Sequence, residues 1–160
     1  MIWLRAISFV LLVQFTVVGV IPWWLSRLGP HWAPGPWRLL GIVPLAAGLS
    51  LLLTSNLLFV RQGHGTAAPY DPPRALVVRG PYRYSRNPMY LSAILIVVGS
   101  ALWLGALSVL VYAVALAGAY QLFVRYYEEP RLTRLFGTAY RSYIVEVPRW
   151  WPRPSGMRSS

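Results

Sequence analysis

The sequence predicts an all-α integral membrane protein with about four transmembrane helices, the last two forming a tight helical hairpin. Three observations carry that expectation. The 160-residue chain is 56% hydrophobic and only 12% charged, far from the balance of a soluble domain. Three stretches, Ala6–Ser26, Leu39–Val60 and Met89–Val124, hold no charged residue, and a bilayer crossing needs roughly 20 apolar residues. The 15 basic residues, all arginine, gather between and beyond those stretches. A cytoplasmic loop and a C-terminal amphipathic helix complete the expected architecture.

The first stretch reads as a retained span. It is too long for a cleaved signal peptide, and nothing resembling a soluble mature domain follows it. The second, Leu39–Val60, spans in the opposite direction. The third, thirty-six residues without charge, would be about 54 Å long as one helix, against roughly 30 Å of hydrocarbon. It must fold back, and Gly99–Gly105 is the expected turn, with Trp103 marking an interface. Residues 1–60 thus form two N-terminal transmembrane helices. Residues 61–160 form a core made of a loop (61–88), a hairpin (89–126) and a cytoplasmic helix with its tail (127–160).

Charge orients the spans. Arg61, Arg74, Arg79, Arg83 and Arg86 fill the loop after the second span, and seven more arginines follow the fourth. Only Arg27 and Arg38 fall on the other side, so the positive-inside rule expects both termini in the cytoplasm, with the protein integral to the cell (inner) membrane. Trp23, Trp24, Trp32 and Trp37 suit an outer aromatic belt, and Trp150 and Trp151 an inner anchor. The net charge of +11 raises nucleic acid as a partner, but arginines that flank spans face anionic lipid more naturally. The expected partner is the bilayer, with no nucleic acid. Absence of cysteine removes thiol catalysis, and His31 and His64 lie in loops on opposite sides, so no metal site is expected.

Chemistry is left to the two cytoplasmic segments. In Arg61–Pro88, Gly63, Gly65, Pro69, Pro72, Pro73, Gly80 and Pro81 forbid a regular helix and imply a shaped loop, in which the apolar run Ala75–Val78 can pair or tuck under the headgroups. Gly63-x-Gly65 alone is a weak signal, since turns use it constantly. Asn87 and Pro88 suit the start of span three, Asn as cap and Pro in the first turn. In Arg125–Pro152, Pro130 is expected to start a helix with Leu132, Leu135, Phe136, Ala139, Tyr140, Tyr143 and Ile144 on one face. Glu128 and Glu129 precede it. They are half of the four acidic residues in the chain. The bland explanation is decoration of a helix N-terminus, worth roughly 0.3–1 kcal/mol. Two adjacent acids at a membrane boundary, with Arg125 one turn away, call for a cationic or hydrogen-bonding occupant instead.

Gly80–Tyr90, reading GPYRYSRNPMY, is followed after one hairpin by EEPRLTRLFGTAYRSYIVEVPRWWP at Glu128–Pro152. This pairing resembles the isoprenylcysteine carboxyl methyltransferase family and is similar to the related phospholipid N-methyltransferases, over about Gly63–Pro152. The resemblance implies an integral membrane enzyme that uses S-adenosylmethionine. It implies a cofactor loop of Gly80, Pro81, Tyr82, Asn87, Pro88, Met89 and Tyr90, with Gly63 and Gly65 as a looser element. It assigns Glu128 and Glu129 to the cofactor's amino group. Arg125 would orient a carboxylate acceptor; Glu129 or Asp71 would take the proton of an amine acceptor. Where the carboxyl methyltransferases commonly carry His, this chain has Asn87, which cannot titrate near neutrality.

The cofactor's ammonium, sulfonium and carboxylate ask for acids, ring faces and a cationic donor together. The tyrosines at 82, 84, 90, 126 and 127 and Arg83, Arg86 or Arg125 are the candidates. The implied reaction is in-line methyl transfer to a lipidic or hydrophobic small-molecule acceptor, isoprenylcysteine-carboxylate-like, at the cytoplasmic membrane face. Two other readings stand beside it: an NADPH-dependent reductase of the sterol reductase type, and a non-catalytic lipid-binding membrane protein.

Overall fold

A computed structural model describes residues 10–32, 35–63 and 75–151. Five helices organise them. These are α1 (Leu12–Leu25), α2 (Ile42–Gly63), α3 (Pro88–Leu104), α4 (Leu107–Phe123) and α5 (Glu129–Glu146). A 3₁₀ turn, Gly35–Gly41, leads into α2, and a wide π turn, Val124–Glu128, joins α4 to α5. The helical runs Gly35–Gln62 and Leu107–Glu146 are long and apolar enough to cross a membrane; Leu12–Leu25 and Pro88–Leu104 are shorter apolar helices. No named strand occurs among the described residues, only an isolated bridge between His31 and Ala106.

The charge-free stretch folds back at the far end of the expected window. Gly105 caps α3 with φ +62°, a left-handed conformation that costs glycine nothing and other residues about a kcal/mol or more. The helices run antiparallel in chain order. At one end Ser108 Oγ donates to the Leu25 carbonyl (2.7 Å), Trp32 N to the Gly105 carbonyl (2.9 Å), and Gly41 lies against Gly99. The opposite end therefore collects the close of α2, the start of α3 and the α4–α5 junction. Residues distant in sequence meet there.

Small residues set the α2–α3 spacing. Gly41, which ends the 3₁₀ turn, and Gly48 and Ser55 on α2 lie seven residues apart, as do Ser92 and Gly99 on α3. A Cβ on Gly48 would lie 2.8 Å from Ile96 Cγ1 and 2.9 Å from the Ser92 carbonyl, so the backbones approach as closely as glycine permits. The α3–α4 seam is a conventional apolar core of Val97, Ala101, Val109, Ala113 and Leu116, against which Val17, Val18 and Leu25 of α1 pack.

Two details of α5 add to the expectation. Pro130 stands in its first turn, as expected, but the helical run continues from α4, and the backbone widens to π geometry immediately before Pro130. Pro130 has no N–H to give the Tyr126 carbonyl, and its ring crowds that carbonyl in a regular helix. Further on, Gly137 (φ 52°, ψ −121°) breaks the helix and resets its face. Tyr140, Tyr143 and Val147 are buried with Leu76, Leu132, Phe136 and Ile144, whereas Leu135 is 52% exposed. Of the run after Ala75, Val77 is buried, whereas Val78 is exposed.

Candidate functional site

A cavity of about 470 Å³ opens where the helix ends meet. One part of its wall is polar and aromatic: Tyr82, Arg86, Asn87, Tyr90, Glu128 and Tyr140. The other is apolar and belongs to the helices: Val13, Val17, Val18, Leu52, Ala93 and Ala119. Phe59, Phe123, Tyr120 and Tyr143 lie among these walls.

Local sequence explains how the polar wall is built. Gly80 takes φ +58° at the start of a 3₁₀ turn, Gly80–Arg83, whose Pro81 carbonyl accepts from Tyr84 N and Ser85 N (both 3.1 Å). The turn buries Tyr82 against Phe59, ring centroids 6.2 Å apart, and the Tyr82 carbonyl accepts from Tyr143 Oη at 2.6 Å. Burial first, then the charge of Glu128 and the neighbouring Tyr143, push the Tyr82 phenol well above its ordinary value. Tyr90, on the first turn of α3, stacks on Tyr120 at 4.6 Å and donates to Glu128 Oε2 at 2.7 Å.

The adjacent acids have separate surroundings. Glu128 lines the cavity with Tyr90. Glu129 turns into an arginine clamp: Arg86 Nη1 reaches its Oε1 at 2.9 Å, Arg149 Nε the same oxygen at 2.8 Å, and Arg149 Nη2 the other oxygen at 2.8 Å. The Arg149–Glu129 contact is a two-point fork, the strongest common geometry for this pair, and it raises the Arg149 guanidinium above its ordinary value. The Arg86 side chain is 9% exposed and lines the cavity, and its Nε has no hydrogen-bond partner among the described residues. A buried donor without an acceptor is costly, and an anionic ligand group would satisfy it.

Asn87 stands at the N-cap position of α3, yet its side chain makes no cap bond. Its Nδ2 donates instead to the Arg149 carbonyl at 3.1 Å, and its N–H to Ser85 Oγ at 3.2 Å. The capping expectation thus gives way to a tether on the tail. Ser85 Oγ also reaches the Arg149 carbonyl (3.1 Å), Arg86 N the Pro148 carbonyl (3.0 Å), and Trp150 Nε1 donates to Gln121 Oε1 (2.7 Å). Residues 148–150 therefore form a strap that fixes the loop from behind.

Of the residues singled out from sequence, the cavity brings together Tyr82, Arg86, Asn87, Pro88, Met89, Tyr90 and Glu128. Gly80 and Pro81 shape the turn behind them. Glu129 pairs with Arg86 and does not line the cavity itself. Arg125 is exposed, its guanidinium 5.6 Å from the Tyr126 ring, and it does not line the cavity. Tyr84, Tyr126 and Tyr127 are exposed as well. Gly63 closes α2; Gly65 and Asp71 lie outside the described residues. Sequence reasoning missed Phe59, Tyr140 and Tyr143 as walls and Arg149 as the clamp. The arginine between Pro148 and Trp150 was the available signal, a charge set in an otherwise anchoring run.

The fold and cavity define a helical membrane protein whose charged and aromatic groups gather at one end of an apolar bundle. The family model described as phospholipid methyltransferase matches residues 38–139, more than half of the chain, and the protein belongs to that family. It is thus a member of a membrane methyltransferase family, which bears out the resemblance carried by the Gly80–Tyr90 and Glu128–Glu129 motifs. Among curated proteins, none matches the chain significantly.

Proposed function

We propose that the protein transfers the methyl group of S-adenosylmethionine to a lipidic acceptor at the cytoplasmic face of the membrane. The observation that carries the reading is the pairing, in one cavity, of the Glu128 carboxylate with the buried Arg86 guanidinium, whose Nε lacks a partner among the described residues. A zwitterionic amino-acid moiety asks for such a pair of opposite charges. The volume suits a small-molecule site, which typically measures about 300–1,000 Å³.

In this reading Glu128 receives the cofactor's ammonium, and Arg86 its carboxylate. Tyr82, Tyr90 and Tyr140 offer ring faces to the adenine and the sulfonium. Glu129 and Arg149 hold Arg86 in place and touch no ligand themselves. S-adenosylmethionine, when bound, supplies an electrophilic methyl group on its sulfonium. The protein's own contribution is orientation and exclusion of water, which can account for roughly 7–11 kcal/mol of a barrier when the reacting atoms are aligned. The apolar wall of α1, α2 and α4 holds the acceptor's hydrophobic body, so the acceptor enters from the bilayer. Four spans with both termini in the cytoplasm would put the cavity beside the arginine-rich loops.

Isothermal titration of the purified protein with S-adenosylmethionine, S-adenosylhomocysteine and NADPH tests the reading. Binding of the first two and not the third is expected; NADPH binding alone, or no binding, would overturn it. Methyl-labelled cofactor incubated with membrane lipid extract then identifies the acceptor.

A further inference from the structure

One polar group in the apolar wall is unused by this reading. Gln14 of α1 lines the cavity among Val13, Val17 and Val18, and its Oε1 accepts from Asn56 Nδ2 of α2 at 3.1 Å. Asn56 Nδ2 is itself anchored on the Leu52 carbonyl at 2.9 Å. The accepting oxygen of Gln14 is thereby occupied. Its Nε2 amide has no acceptor among the described residues. A donor in an apolar wall is unfavourable until an acceptor arrives.

The position of the pair is specific. Asn56 lies between Phe59, which contacts Tyr82, and Leu52 at the deep end of the cavity. Gln14 is thus about one helical turn, roughly 4.5 Å, below the aromatic ring layer and within a wall extending roughly 10 Å along α2. The backbone of α1 is π-helical on both sides of Gln14, over Val10–Gln14 and Thr16–Val20. Gln14 closes a π turn, Val10–Gln14, as Glu128 closes the π turn Val124–Glu128. Such turns are rare and recur at functional sites. Gln14 also precedes the segment 38–139 that matches the family, so it belongs to the part of the cavity the family pattern does not define.

We propose that Gln14, held by Asn56, is a specificity-determining residue that donates through Nε2 to an ester carbonyl of a glycerophospholipid acceptor. The inference rests on the lipid methyltransferase reading above. A glycerophospholipid carries hydrogen-bond acceptors just beneath its head, where the wall turns from polar to apolar, and hydrocarbon below. That order matches Tyr82 and Arg86, then Gln14, then Val17 and Leu52. An acceptor with an unbroken hydrocarbon tail leaves the amide unsatisfied. Simple helix–helix glue, the other use of a Gln–Asn pair in a membrane, would support every lipid equally.

The test uses the purified full-length protein in detergent, titrated with dioctanoyl phosphatidylethanolamine and with its diether analogue, which lacks both ester carbonyls. The native protein is expected to bind the diacyl form about tenfold more tightly, the worth of one net hydrogen bond. Gln14→Leu, and Gln14→Met as a volume-conserving second variant, should bring the two affinities together while leaving S-adenosylmethionine binding unchanged. Equal affinities in the native protein, a preference that survives both substitutions, or binding of neither lipid would each overturn the inference. Failure of the methyltransferase reading registers separately, as native protein that does not bind S-adenosylmethionine.

Discussion

Arg149 grips Glu129 through two parallel hydrogen bonds of 2.8 Å across twenty residues, and that fork closes the back of the cavity. Through the shared Oε1 it also fixes Arg86, so three side chains from the loop, α5 and the tail form one ion cluster. Glu128, the neighbour of Glu129 in sequence, stays outside the cluster. In the proposed function the pair therefore divides into a binding acid, Glu128, and a bracing acid, Glu129.

Substitution of the binding acid should act on affinity. Glu128→Gln is expected to weaken S-adenosylmethionine binding by roughly ten- to a hundredfold, the worth of a charge-assisted hydrogen bond, with the melting temperature little changed. Titration calorimetry alongside thermal unfolding in detergent checks both halves.

The bracing acid should show the reverse balance. Glu129 and Arg86 side chains are 16% and 9% exposed, so Glu129→Gln leaves a buried guanidinium short of its counter-charge, at a cost of about 3–5 kcal/mol. The melting temperature should fall further than in Glu128→Gln. An unchanged melting temperature would remove Glu129 from the structural role argued for it.

The glycine seam offers a stability test away from the cavity. Gly99→Ala would put a Cβ 2.7 Å from Leu45 N, and backbone cannot swing aside, so a loss of about 1–3 kcal/mol is expected. Gly118→Ala on α4 meets nothing within 4 Å and should be neutral or slightly stabilising. Comparing the unfolding temperatures of these two variants isolates close approach from helix propensity.

Alkaline pH should loosen the protein through Tyr82. Its phenol is raised in the folded state, so the native protein keeps a proton that the unfolded chain sheds near the ordinary value of 10.0. The stabilising contribution is complete below that pH and declines as pH rises beyond it. Melting temperatures followed from pH 9 to 11 should fall less steeply in Tyr82→Phe than in the native chain.

Much of this was legible in the residues. The fold-back of Met89–Val124 follows from length alone, and the partnership of Gly80–Tyr90 with Glu128 is what the family resemblance of the two motifs implies. The individual roles of Glu128 and Glu129 were not legible. They depend on Arg149, whose fork is made only after the tail crosses behind the loop. Arg125 looked closer to the acids in sequence, but the wide turn carries it onto the exposed side. Asn87 has the composition of a cap, and a tertiary partner, the Arg149 carbonyl, outcompetes the local bond. Local chemistry was readable wherever one helix decides it, and obscure wherever two distant segments compete for the same side chain.

The π turn at Val124–Glu128 has a consequence for sequence change. A π turn holds one residue more than an α-helical turn, an angular offset of about 100° about the axis. Deleting a single residue there would restore α-helical phase and swing everything beyond it around the axis by that amount. Glu128 would leave the cavity without any side chain being altered, and the Glu129 fork would lose its register with Arg149. Insertions and deletions between α4 and α5 are accordingly a more severe class of change than substitutions at most of the same positions.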